Sequence, residues 1–178
     1  MRPPRAALLA LVPLLLAGSG LAGSGDPGIE LEVDLGSFAL RARDLATGHP
    51  GPTLRVLIGS PANPTPPGVY RPDRLVRHPA WTPGPKARAL GGRPHAPSAS
   101  GPLGVGKLPL RSAIQLHAGA DRVELGKPVS LGCVGVDDAS WHALVAWLEE
   151  RGSLEPWRGS DVGEAETGFR RPLRVVVR

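Results

Sequence analysis

Long helices are excluded from most of this chain by the recurrence of proline and glycine, which supply 21 and 24 of its 178 residues. Proline lacks the N–H a helix needs and its ring collides with the preceding turn, while glycine loses the most freedom on ordering. With aromatic residues at only 4%, such a chain is predicted to be mostly β and rich in turns. Ile29, Leu31, Val33 and Leu35 alternate with Glu30, Glu32 and Asp34, giving the one apolar and one polar face of a half-buried strand. Gly36-Ser37 reads as a turn into a second strand over 38–43, and 53–58 as a third, ended by Gly59-Ser60. From Pro61 to Gly106 the periodicity is lost. Within it, residues 72–106 read as a Pro/Gly-rich loop or lid. Strands return at 112–117 and 173–177, with an extended piece at 128–134. One helix is predicted, capped by Asp137 or Asp138 and running to about Arg151. Trp141, Leu144, Val145 and Leu148 form its apolar stripe, and Gly152 suits the left-handed position beyond its end. Trp141 reads as a packing residue and His142, off the stripe, as solvated surface.

Residues 1–25 are set apart. A cationic start (Met1 to Arg5), an aliphatic run (Ala6 to Ala17) and small residues (Gly18 to Gly25) follow the order of a secretory signal peptide. The apolar run is shorter than the roughly 20 residues of a bilayer span, and an uncleaved anchor is the alternative. What remains, 26–178, has the size of one domain, and no other stretch reads as a membrane span. The expected location is the periplasm or the cell wall. A net charge of +5 suits a polyanionic surrounding. Nucleic acid is disfavoured, because the arginines are scattered and do not interleave with aromatics.

Cys133 is the sole cysteine. It cannot form an internal disulfide, so in an oxidising compartment its thiol is either buried as a small hydrophobe or used. His117 stands sixteen positions before it, and each residue ends an extended segment. Neighbouring strands can therefore bring a candidate nucleophile and a candidate general base to one end of a sheet. Gly132 has no Cβ, which opens the backbone to a substrate carbonyl, and the N–H groups of Cys133 and Gly132 are candidate oxyanion donors. A paired imidazolium would make Cys133 more acidic than a free thiol, and partial exposure is expected. The other histidines are dispersed, so no metal site is predicted, and no phosphate loop or dinucleotide fingerprint is present. No cofactor is expected.

The segment Ile114-Gln115-Leu116-His117-Ala118-Gly119, followed by Gly126-Lys127-Pro128-Val129-Ser130-Leu131-Gly132-Cys133-Val134, resembles the signature of the L,D-transpeptidase (YkuD-type) family. There a histidine precedes an S-H-G-C block by about this interval. Asn63 to Tyr70 resembles the family's T-P-x-G segment. Trp81-Thr82-Pro83 and Gly101-Pro102-Leu103-Gly104 resemble its W-x-P and N-P-L-G elements, and the predicted helix matches its post-cysteine helix. The resemblance implies a mixed sheet or flattened sandwich with one main helix after the catalytic cysteine. It implies an exported peptidoglycan enzyme of wall biogenesis, with Cys133 as nucleophile and His117 as base, the ring oriented by the carbonyl of Ala118. It further implies stem peptides as partners, with a wall-linked protein as another candidate. Ser130, Gly119, Arg93 and Lys107, together with Arg88, are candidate substrate contacts. Three positions depart from the pattern. Leu131 replaces histidine, Gly135 replaces arginine or asparagine, and Ala118 replaces glycine or serine. Alternatives on the same scaffold are a hydrolase, either trimming stem peptides or releasing wall-linked protein, and a wall-binding homologue with weakened catalysis.

Overall fold

In the computed structural model, which describes residues 27–178, the alternating segment near the start forms β1 (Ile29–Asp34). Its Ile29, Leu31 and Val33 are fully buried. The leader expected at 1–25 lies outside the described residues. β2 (Ala39–Asp44), β3 (Pro50–Arg55), β4 (Ile58–Gly59), β5 (Gly68–Tyr70) and β6 (Arg74–Arg77) follow. After the short helix α1 (Pro85–Ala89) come β7 (Gly106–Arg111), β8 (Ile114–His117), β9 (Pro128–Ser130) and β10 (Val134–Gly135). The helix α2 (Asp138–Glu150), β11 (Arg158–Gly159), β12 (Ala165–Gly168) and β13 (Leu173–Val177) complete the fold.

Two mixed sheets share one hydrophobic core, as expected for the mostly β architecture. One has the order β3-β2-β1-β13-β5 and the other β10-β8-β7-β6-β12-β11, with a small parallel pair, β4-β9, beside them. The last strand runs parallel to the first, Glu30 facing Arg174 in register. The apolar sides of both point inward while Arg174 and Arg178 pair with Glu30 and Glu32 outside, each at 2.7 Å. Such exposed pairs set register more than stability.

α2 fastens the two sheets together. Asp137 caps it, accepting the Ser140 N–H at 2.7 Å, and Gly152 beyond its end takes φ 61°. Trp141, Leu144, Trp147 and Leu148 are its buried residues, while His142 is exposed as expected. Each tryptophan sits on a glycine: a Cβ on Gly51 of β3 would lie 2.7 Å from the Trp147 ring, and one on Gly106 of β7 2.3 Å from that of Trp141. The indoles therefore lie flush on one strand of each sheet.

The stretch 72–106 is not all loop. β6 lies inside its second sheet, between β7 and β12, and Leu75 and Val76 are both buried. A strand of four residues between Pro72 and Pro79, with two adjacent apolar side chains, carries no alternation for a sequence reading to detect.

One end of the first sheet is locked by a buried ion pair. Arg171, just before β13, grips Asp44 at the end of β2 through two hydrogen bonds of 2.8 Å, and Asp44 is 3% exposed. Ile29 is paired with both Asp44 and Leu173, so the pair spans three strands. The guanidinium, helped by the Ala46 N–H, holds the Asp44 carboxyl far below its ordinary value of 3.8. The stabilisation is thus complete above that value and is lost as pH falls below it toward the folded pKa. Arg171→Met should cost about 3 kcal/mol in urea unfolding at neutral pH, because it strands a buried carboxylate. Asp44→Asn should flatten the loss of stability between about pH 5 and pH 2. An unchanged acid limb would show that Asp44 does not govern it.

Candidate active site

The segment that carries Cys133 is pinned on both sides. β10 runs parallel to β8, with Val134 opposite Leu116 and Gly135 opposite His117. On its other side Gly135 and Leu57 exchange backbone hydrogen bonds of 2.9 and 3.0 Å. The carbonyl of Cys133 accepts the Ser130 hydroxyl at 2.7 Å and, more weakly, that of Thr65 at 3.5 Å. The Ser130 oxygen also accepts the Gly132 N–H at 3.1 Å, so that N–H is engaged within the loop. Gly132 adopts φ +116°, a conformation that a residue with a Cβ rarely takes. Serine and glycine of this block thus build the turn that presents the cysteine.

Cys133 is partly exposed, and its sulfur lies 3.7 Å from the Ala113 carbonyl. Burial pushes the thiol above its ordinary value, opposed in part by the backbone N–H of Gln115. The acidification expected from the sequence is therefore reversed. The reason lies in the partner. Burial drives the His117 imidazole below its ordinary pKa of 6.5, so no resident positive charge stabilises a thiolate. His117 Nδ1 lies 2.6 Å from the Ala118 carbonyl oxygen. A carbonyl can only accept, so Nδ1 carries the proton and Nε2 carries the lone pair. Ala118 serves this role through its backbone alone, as the resemblance implies, and its N–H is tied to Gly106 O at 2.9 Å.

His117, Cys133, Ser130 and Leu131 line one cavity of about 780 Å³. Its far wall comes from residues 81–87, including α1, and from Pro102 and Leu103. That wall is a closed loop: Trp81 and His95 exchange backbone hydrogen bonds of 3.0 and 2.9 Å, and Arg88 reaches Pro83 O at 2.7 Å. The other sequence candidates lie elsewhere. Arg93 is exposed on the same loop, outside the cavity lining. Lys107 contacts the Ala80 carbonyl at 3.4 Å. Gly119 is packed against Gly104, and its N–H donates to Asp138 at 2.9 Å. Three residues were missed as site members. Thr65 stands in the T-P segment and Trp81 in the W-x-P element, so both carried a signal. Lys86, whose ammonium donates to the Asn63 side-chain oxygen, carried none. No cluster of metal-ligating side chains occurs among the described residues, and no helix among them is long and apolar enough to cross a membrane.

The sequence profile of the YkuD L,D-transpeptidase catalytic domain matches residues 30–163. No curated protein sequence matches significantly. Several solved structures are similar. An L,D-transpeptidase from Mycobacterium smegmatis superposes with TM-score 0.51 at 14% identity, covering 85% of this chain and 58% of that one. L,D-transpeptidase 3 from Mycobacterium tuberculosis, solved with a faropenem-derived adduct, gives 0.54 at 15% identity, with 85% and 60% covered. The catalytic domain of the E. faecium L,D-transpeptidase gives 0.52 at 17% identity, with 88% and 100% covered. The chain thus spans about three fifths of the mycobacterial structures and all of the enterococcal domain. At these identities the structural likeness is one of fold. Together with the profile match over most of the chain, it places this protein in the L,D-transpeptidase catalytic-domain family.

Proposed function

We propose that this protein is an exported, cysteine-dependent L,D-transpeptidase of the peptidoglycan wall. The observation that carries the reading is the placement in one cavity of His117, at the end of β8, and Cys133, just before the paired strand β10, the imidazole neutral with its lone pair on Nε2. In the first half-reaction His117 takes the thiol proton as sulfur attacks the carbonyl carbon of the third stem residue, normally meso-diaminopimelate. The N–H of Cys133 is the candidate donor to the oxyanion, since that of Gly132 is engaged with Ser130. The C–N bond to the terminal D-alanine breaks, and His117 returns the proton to the leaving amine. In the second half-reaction the amine of another stem attacks the thioester, the C–S bond breaks, and the amine's proton passes through His117 to the sulfur. The atoms balance without a cofactor. The loop of residues 81–87 covers the thioester and disfavours water as the acceptor.

Cys133→Ser should abolish acyl-enzyme formation with a stem tetrapeptide, read by intact mass, because an alcohol is a far weaker nucleophile with the same base. His117→Ala should slow acylation by at least about 10²-fold. If cross-linked dimers are absent from the products and trimmed stems accumulate instead, the enzyme is a hydrolase on this scaffold. Full acylation by the serine variant would remove Cys133 from the mechanism.

The pH profile tests the neutral pair. The His117 pKa is depressed below 6.5, so the base stays unprotonated as pH falls through that value, and the acid limb of acylation should lie below it. The Cys133 pKa is raised above 9.0, so alkylation of the resting enzyme by iodoacetamide should climb only on the alkaline side of a free thiol's titration. Fast alkylation at pH 6 would mean a resident ion pair instead.

A further inference from the structure

We propose that Lys86 selects the acyl donor, by pairing with a free carboxylate close to the carbonyl that Cys133 attacks. The inference rests on reading the cavity as an acyl-transfer site and names the substrate chemistry that the site requires. Lys86 is the one lining residue with a formal charge, since the His117 ring is neutral. Lys86 is itself exposed, and it shares the lining with the apolar Trp81, Pro83, Leu103 and Leu131 and with the neutral polar Thr82, Ser112, Gln115 and Ser130. Its ammonium donates to the side-chain oxygen of Asn63, a neutral acceptor that leaves the charge uncompensated. None of the ion pairs among the described residues involves Lys86.

The contact with Asn63 links the charge to the turn that also reaches the nucleophile's backbone. The Asn63 N–H donates to Ser60 O at 2.8 Å. Two residues on, Thr65 accepts the Gly59 N–H at 2.8 Å and contacts the Cys133 carbonyl. One turn therefore holds both the lid cation and the cysteine backbone. Nor can a cation come from position 135, where the sequence departs from the family's arginine or asparagine. A Cβ on Gly135 would lie 2.9 Å from Leu57 Cδ1 and 3.3 Å from Ala120 Cβ, so any side chain there would first have to displace Leu57. The charge that position 135 cannot supply comes from the lid.

A stem-type donor offers two carboxylates near the scissile bond, the side-chain carboxylate of the third residue and the terminal carboxylate of the residue that leaves. Both have the chemistry Lys86 requires, and separate amidation of each distinguishes them. The experiment uses Cys133→Ser protein, so that binding is read without turnover. Three probes are titrated by calorimetry: the tetrapeptide, its side-chain amide and its C-terminal amide. Amidating the carboxylate that Lys86 reads should weaken binding by about fivefold or more, and the gap should narrow at high salt. In the Lys86→Met background that gap should close, whereas Lys86→Arg should keep it, with thermal unfolding confirming that each variant is folded. Equal penalties for amidation with lysine and methionine at this position, or no binding by any probe, would overturn the proposal. The same peptides are then offered to protein with its cysteine intact. Lys86-dependent binding without acylation would refute the acyl-transfer reading and leave the carboxylate site standing. Acylation without discrimination among the three peptides would do the reverse.

Discussion

The site depends on a strand two residues long. β10 could not persist alone, since so few hydrogen bonds cannot offset the entropy of ordering it. It is held because both of its edges are occupied, one by Leu57 and the other by β8. Val136 N–H reaches the His117 carbonyl at 2.9 Å, and Ala120 N–H reaches that of Val136 at 3.0 Å. The backbone that follows the cysteine is thus bonded to the backbone of the histidine itself. A catalytic pair must hold its geometry to within a fraction of an ångström. Here the backbone of both residues is fixed by main-chain bonds, and the Ser130 and Thr65 hydroxyls add side-chain support at the Cys133 carbonyl. The turn before the cysteine is fixed as firmly, with one Ser130 oxygen engaging both Gly132 and Cys133.

Those strands hold their place because of the helix that follows them. Trp141 lies on Gly106 at the start of β7, and β7 carries β8 as its hydrogen-bonded neighbour. The carboxylate of Asp138, the first residue of α2, accepts the Gly119 N–H at 2.9 Å and the Val105 N–H at 3.4 Å. Gly119 follows the alanine whose carbonyl orients the His117 ring. A packing contact from the first turn of the helix and a carboxylate at its start therefore both hold the backbone around His117, although neither touches the cavity. Gly119 entered as a candidate substrate contact, and its geometry is that of a residue positioning the loop after His117.

Legibility in the sequence followed distance along the chain. β1 and α2 could be read because each has a full period of its own pattern, one of two residues and one of 3.6. That His117 and Cys133 line one cavity could be anticipated because they are close in sequence and each ends an extended segment. β6 could not, since its two buried residues are adjacent and its place in the sheet is fixed by β7 and β12, not by its own pattern. Thr65 acts on the Cys133 carbonyl across 68 positions, and Lys86 reaches the cavity only because the loop between Trp81 and His95 closes on itself. Such roles are made by tertiary contact, and no local spacing announces them. The acidity of Cys133 was misread for a related reason. Sequence supplied the partner but not the burial, and burial outweighs the partner when that partner is itself neutral.

That neutrality has a chemical consequence. A thiolate–imidazolium pair is reactive toward any electrophile or oxidant that reaches it, whereas a protonated thiol is not. In the oxidising surroundings proposed for this protein, a neutral pair would leave the partly exposed Cys133 protonated and so less open to oxidation. Reactivity must then be produced in the complex. Under the proposed mechanism the proton would move to His117 only as the sulfur bonds to carbon, when the developing negative charge has passed to the carbonyl oxygen and its backbone donor. The cost of desolvating a thiolate is not paid in the resting state, and the apolar wall that raises the thiol pKa also strengthens each hydrogen bond to the oxyanion. A partly open site with a weakly acidic cysteine is thus consistent with catalysis, provided that the substrate fits closely enough to bring its carbonyl to the sulfur. Precise seating of the donor thereby becomes a condition of chemistry as well as of affinity.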